Sequence, residues 1–291
     1  MNRHQRGEAA SQTLAQPVPA QPEPDGSAIK AVFFDIDGTL TSFVTHTVPR
    51  STRDALERLS ERGIATFICS GRPPAQLDAA RRLMPHEWTG YVTMNGQCCY
   101  DDHGYEETEA LDPGDIAAFV EFLAHRRPDV AAGFCELDYV YFNQINDYLR
   151  SMWAGLGQTA PTIVVDDPAR SRTHTTYQVS AYVPAGEQED EIMAVMPHCR
   201  ALRWHPDFTD ICPADGGKPA GIRRFMRKYG WDRNQVMTFG DGGNDVEMLG
   251  YAGLGVAMGN ATADAKSAAD YVTDDVDHDG IMNALRHFGV L

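Results

Sequence analysis

The sequence predicts an α/β fold: a Rossmann-like, doubly wound parallel sheet interrupted by an inserted α+β module. Three observations carry this reading. Continuous apolar runs such as "IKAVFFD" from Ile29, "IATFICS" from Ile64 and "QVMTFGD" from Gln235 read as strands covered on both faces. Segments of helical periodicity lie between runs, an alternation that builds a parallel sheet with crossover helices. The rhythm breaks in the middle of the chain and resumes near residue 206.

Residues 1–27 hold Gln5, Gln12, Gln16 and Gln21 among Pro17, Pro19, Pro22 and Pro24. Such a stretch buries no face and reads as a disordered tail. After the first strand, "STRDALERLSERG" predicts a helix with Ser51 and Asp54 as a capping box. Ala55, Leu56 and Leu59 share one face of it, and Gly63 is the stop. "IATFICS" is the second strand, and "RPPAQLDAARRLM" a helix with prolines in its first turn. "GYVTMNG" is the third strand. Residues 28–96 and 206–291 therefore read as one core.

Residues 97–205 read as the inserted module. It comprises a helix in "DPGDIAAFVEFLAHRR", strands in "VAAGFCEL" and "YVYFN", and a helix in "QINDYLRSMWAGL". A strand in "TYQVSAYV" and an acidic helix in "EQEDEIMAVM" follow, with short strands in "RALRWH" and, at the return to the core, "FTDICP". The first rhythm then resumes. "PAGIRRFMRKYG" places Ile222, Phe225, Met226 and Tyr229 on one helical face with Gly230 as its stop. "NDVEMLGYA" is a helix, and "LGVAMG" and "YVTD" are strands.

Composition narrows the function classes. The 291 residues carry 41 acidic against 25 basic side chains, a formal net charge of −16. That balance disfavours nucleic acid and anionic membrane as main partners, since both require a positive footprint. No window approaches the ~18 apolar residues of a membrane span, and the N-terminal stretch lacks the apolar core of a secretory signal. The six cysteines form no C-x-x-C pair and read as reduced thiols of a cytoplasmic protein. Oligomeric state is not legible.

Four polar clusters follow predicted strands or lie beside them: Asp35-Ile36-Asp37-Gly38-Thr39, Ser70-Gly71-Arg72, Lys218, and Asp241-Gly242-Gly243-Asn244-Asp245. Ligands of open α/β sheets collect outside the carboxyl ends of the strands. Asp35, Asp37, Asp241 and Asp245 gathered there would repel one another unless a cation joined them. Hard oxygen donors suit Mg²⁺. A lysine and a Ser–Gly turn beside that cation then suit a phosphoryl group, with the Ser70 hydroxyl and the Gly71 N–H as donors. One carboxylate, Asp35, can serve as nucleophile. Asp37, two residues on, can point to the same side and act as acid and base.

"DIDGT", "SGR", the isolated Lys218 and "GDGGND" resemble the four motifs of the haloacid dehalogenase superfamily of phosphatases. The module between the second and third motifs is similar to that of the type-IIB, Cof-like branch. The match extends to "TMNG" at 93–96 and "NDVEMLGYAGLGVAMGNA" at 244–261. The resemblance implies a phosphatase core with a substrate-selecting cap, Asp35 as nucleophile and Asp37 as acid/base. It implies Mg²⁺ held by the Asp35 carboxylate, the Asp37 carbonyl and Asp241, with Asp245 in support. Ser70, Gly71 and Lys218 would hold phosphate, and Asn244 would position Lys218 or the phosphate. The expected substrate is a small phosphorylated metabolite, a sugar phosphate or cofactor phosphate. A phosphomutase or phosphotransferase, and a non-catalytic metabolite-binding protein on the same scaffold, are the competing readings. Arg72 is expected to brace its loop, and Tyr139, Tyr141 and Phe142 are candidates for the pocket wall.

Overall fold

The computed structural model describes residues 26–156 and 160–291. The tail expected over residues 1–27 lies outside the described residues up to residue 25, and Gly26–Ala28 form a single 3-10 turn. Strand β1, Ala31–Phe34, is wholly buried. Helix α1, Arg50–Glu61, leads to β2, Ala65–Cys69. A 3-10 turn and the short α2, Asp78–Leu83, lead to β3, Gly90–Thr93. Strands β4, Cys98–Tyr100, and β5, Glu106–Thr108, follow.

The module comes next: α3, Pro113–His125; β6, Ala131–Cys135; β7, Val140–Phe142; α4, Asp147–Leu156. It continues with β8, Gln178–Tyr182; α5, Glu187–Met193; β9, Cys199–His205; and β10, Phe208–Pro213. The chain returns to the core with α6, Lys218–Tyr229, β11, Val236–Gly240, and α7, Val246–Tyr251. It closes with β12, Leu254–Ala257, α8, Ala263–Ala268, β13, Tyr271–Val272, and α9, Gly280–His287.

Eight strands form the core sheet in the order β13-β12-β11-β1-β2-β3-β4-β5. Pairing is parallel from β13 to β3, and β4 and β5 add an antiparallel edge. The apolar runs are continuous because both faces are covered. Val32, Phe34, Ile68 and Phe239 pack with Leu56 and Leu59 of α1 and Leu285 of α9. The alternate residues Ala31, Phe33 and Phe67 pack with Ile222 and Phe225 of α6 and Met248 of α7. Phe33 and Phe34 are fully buried, each contributing about 1.5–3 kcal/mol of apolar burial. The module has its own five-stranded antiparallel sheet, β7-β6-β8-β10-β9, and its own apolar cluster.

Three expectations are corrected here. The division at residues 97 and 205 gives way to sheet membership: β4 and β5 extend the core sheet, and β10 belongs to the module's sheet. We place the crossings near residues 109–113 and 213–217. The Ser51–Asp54 capping box does not form. Pro49 enters extended and α1 starts at Arg50, which puts Ser51 inside the helix with its hydroxyl buried and unpartnered. The helix expected from "RPPAQLDAARRLM" is instead a 3-10 turn, Pro74–Gln76, followed by the short α2 from Asp78, and Pro73, held extended by Pro74, stays outside both. Among the described residues no helix is long and apolar enough to cross a membrane, and the six cysteines are free and buried.

Candidate active site

Adjacent strands β11, β1 and β2 run parallel with Phe239, Phe34 and Ile68 in register. The residues just beyond their carboxyl ends, Asp241, Asp35 and Ser70, must therefore leave the sheet side by side. Lys218 reaches the same place as the first residue of α6. Its side chain is fully buried, with Nζ 2.5 Å from both Asp35 Oδ1 and Asp245 Oδ1. Asp245 accepts from the backbone N–H groups of Asp241 and Gly242, each at 2.9 Å, through its other oxygen. Asp35, Asp241 and Asp245 each offer an oxygen within 4.8 Å of the others.

The loop after β1 is shaped around this cluster. Gly38 has φ +89°, and a Cβ there would lie 2.2 Å from Asp241 Oδ2. Only glycine allows both the left-handed backbone and that approach. Thr39 Oγ1 donates to Asp241 Oδ1 at 3.0 Å. Asp37 stands outside the three-carboxylate cluster. Arg72 donates to both its oxygens, Nε and Nη2 at 2.9 Å each. Arg72 thus braces a carboxylate as well as its own loop, where its backbone N–H donates to Ser70 Oγ at 3.2 Å.

Charge in this pocket is unbalanced. Burial pushes the Asp35 carboxyl up to about 7 against the pull of Lys218. Burial, then Asp35 and Asp245, push Asp241 well above the ordinary carboxylate range. Burial alone would lower the Lys218 ammonium, but Asp245 and Asp35 raise it, so it stays charged. Three buried carboxylates face one ammonium. Oxygen donors in this number and spacing fit a hard divalent cation.

The module covers the site. Asn95, fully buried at φ 53°, donates through Nδ2 to Gln178 Oε1 and to Asp210 Oδ2, both at 3.0 Å. Its Oδ1 accepts from Asn244 Nδ2 at 3.0 Å. Gln178 Nε2 donates to the Gly71 carbonyl at 3.0 Å. Asn244 was expected to position Lys218 or phosphate. It lines the same cavity and bonds Asn95, and Asp245 holds the lysine. A cavity of about 390 Å³ lies between the two parts, with Asp35, Asp37, Ser70 and Asp241 on one wall and Phe142, Trp153, Tyr182, Trp204 and Phe208 on the other. Phe142 joins that wall as expected. Tyr141 is instead buried in the module's core, and Tyr139 stacks on Tyr141 and under Arg170.

The sequence reading missed Asn95 as a clasp and Gln178, Ser180 and Asp210 as the module's polar contribution. The only signal was Asn95-Gly96 itself, which a plain turn explains equally well. A larger cavity of about 830 Å³ opens on the linker side, away from the four motifs. Asp112, Asp115 and His198 gather there, but Asp112 caps α3 and Asp115 accepts from His198.

Lys218 is aimed by close packing of α6. At Gly221 a Cβ would lie 2.3 Å from Val92 Cγ1 and 3.2 Å from Gly96 Cα. Gly221→Ala is expected to lift α6 off β3, costing about 1–3 kcal/mol in urea unfolding and lowering turnover with it. Unchanged turnover would separate the lysine from this packing.

A family model described as haloacid dehalogenase-like hydrolase matches residues 32–285. YkrA of Bacillus subtilis (strain 168) is 30% identical over 263 residues, spanning 90% of this chain and 98% of its own. Pyridoxal phosphate phosphatase YbhA of Escherichia coli (strain K12) is 28% identical over 271 residues, spanning 88% of this chain and 97% of its own. The solved structure of the subclass IIB sugar phosphatase BT4131 superposes with a TM-score of 0.81 at 35% identity, covering 90% of this chain and 100% of that one.

Proposed function

The chain belongs to the haloacid dehalogenase-like hydrolases and is a phosphatase of their type-IIB, Cof-like branch, and from that premise we propose that it hydrolyses a small phosphorylated metabolite with Asp35 as nucleophile. The observation that carries this is the meeting of Asp35, Lys218, Asp241 and Asp245, drawn from three distant stretches of chain into one buried cluster.

In the first step an Asp35 carboxylate oxygen attacks phosphorus and the ester P–O bond breaks, leaving an aspartyl phosphate. Asp37 gives its proton to the departing alcohol oxygen. Water then attacks phosphorus, Asp37 takes the water's proton, and Asp35 is released with inorganic phosphate. Lys218 offsets the charge of the transferring group. Ser70 Oγ and the Gly71 N–H donate to its oxygens. The bidentate Arg72 pair holds Asp37 in the cavity as a carboxylate, so its turn as the acid requires that pair to open as substrate enters. Mg²⁺ would be held by Asp35, Asp241 and the Asp37 carbonyl, with Asp245 behind them, and would supply charge neutralisation on the phosphoryl oxygens. The relatives' names supply the substrate classes, sugar phosphates and a cofactor phosphate.

Incubating the full chain with sugar, nucleotide and cofactor phosphates tests this. Phosphate release with Mg²⁺, abolished by EDTA, is expected for at least one class. Isomerised sugar phosphate without free phosphate would make it a mutase. Silence across the panel would leave a binding protein.

A further inference from the structure

We propose, resting on the phosphatase reading above, that the alcohol released at this site is flat and aromatic or heteroaromatic, a single ring with no second anionic group. The cap wall opposite Asp35 is lined by an aromatic cluster in which Phe142, Tyr182 and Phe208 are nearly wholly buried and Trp153 and Trp204 half-buried. Trp153 meets Phe142 edge-on at 5.4 Å, Phe142 lies 5.9 Å from Tyr182, Tyr182 stacks on Phe208 at 5.3 Å, and Trp204 meets Phe208 edge-on at 5.0 Å. These five side chains come from five different elements, yet all line the cavity that contains Asp35 and Asp37.

Gln178, Asp210 and Trp153 on that wall spend their hydrogen bonds inside the protein. Gln178 uses its carbonyl for Asn95 and its amide for Gly71. Asp210 accepts from Ser180 at 2.6 Å and from Asn95 at 3.0 Å. The Trp153 indole N–H donates to the Pro161 carbonyl at 2.7 Å. A polyhydroxylated leaving group would surrender water there and find few partners, whereas a ring finds faces and edges to pack against. Charge points the same way. Arg72 is the one arginine or lysine lining the cavity among the described residues, and Asp37 holds it. The buried Asp210 carboxylate faces the same space, so a second phosphate or carboxylate on the leaving group would be repelled. The volume, about 390 Å³, lies at the small end for ligand sites, room for a phosphoryl group and one ring.

The test uses the full chain with Mg²⁺ and four phosphate esters of primary alcohols, so that leaving-group reactivity is nearly matched: benzyl phosphate, a pyridylmethyl phosphate, glucose 6-phosphate and glycerol 3-phosphate. We expect kcat/KM for the two ring esters to exceed that for glucose 6-phosphate by about 30-fold or more. Trp153→Ala should shrink that ratio about tenfold through KM, and Trp153→Phe should restore it. Glucose 6-phosphate turned over as well as the ring esters would overturn the substrate class and leave the phosphatase standing. A ratio that Trp153→Ala does not move would overturn the role of the aromatic wall. Failure of all four esters, and of the wider panel above, would remove the phosphatase reading and this one with it.

Discussion

Asp35→Asn is expected to lower phosphate release by about 10⁴-fold or more with the fold intact. The size follows from the step removed. An amide oxygen is a poor nucleophile, and the other carboxylates are committed elsewhere: Asp37 to Arg72, Asp245 to Lys218, Asp241 to Thr39. No neighbour is free to take over the attack. The fold survives for an electrostatic reason. Asn keeps the shape and an acceptor for Lys218, and it removes one of three carboxylates crowded in a buried space. Without divalent ion, thermal unfolding should be unchanged or raised. The stabilisation that Mg²⁺ gives the native enzyme should shrink, because one of its ligands has lost its charge. Phosphate release and melting curves, each with Mg²⁺ and with EDTA, check both halves. Retention of more than about one per cent of activity would remove Asp35 from the nucleophile's role.

The site was legible because its chemistry sits where topology concentrates it. Asp35, Ser70 and Asp241 each terminate a buried apolar run, and parallel neighbours put run ends side by side. Lys218 was legible only through its company: beside the other three clusters it suits a phosphoryl group, and by itself it reads as an ordinary surface lysine. What failed depended on partners far away in the chain. Asn95 clasps Gln178 and Asp210 across separations of 83 and 115 residues, and no spacing rule reaches that far. The module's edges were misplaced for another reason. "CCY" and "EET" are three-residue strands whose identity comes only from pairing with β3 and with each other. "FTDICP" was seen as a strand, but which sheet it joined was decided by β8 and β9. Helix α9 escaped because it is short; Asp279 stands before it as a favoured cap residue, yet sits in the left-handed region and makes no side-chain cap.

Lys218→Met should be the most destabilising single change at the site, about 3–5 kcal/mol in the absence of divalent ion near neutral pH. The ammonium is fully enclosed and its removal leaves Asp35, Asp241 and Asp245 with no buried cation among them. The pH dependence has a definite sign. Asp35 and Asp241 are raised in the folded state above their ordinary 3.8. Between roughly pH 4 and 7 the native protein therefore holds protons that the unfolded chain has released. Stability from these groups is present at the acidic end and is lost as pH rises through their folded values. In the native sequence Lys218 moderates that loss by pulling both carboxyls down. With methionine in its place the pull is gone, so the gap between the two proteins should be small near pH 5 and wide near pH 8. Millimolar Mg²⁺ should narrow it again, since an ion bound only by the folded cluster replaces the missing positive charge. Urea unfolding at both pH values, with EDTA and with Mg²⁺, reads out all three effects. If the variant matches the native protein near pH 8 in EDTA, the carboxylates are not held against their repulsion by the lysine. The cluster's affinity for a cation would then need a different cause.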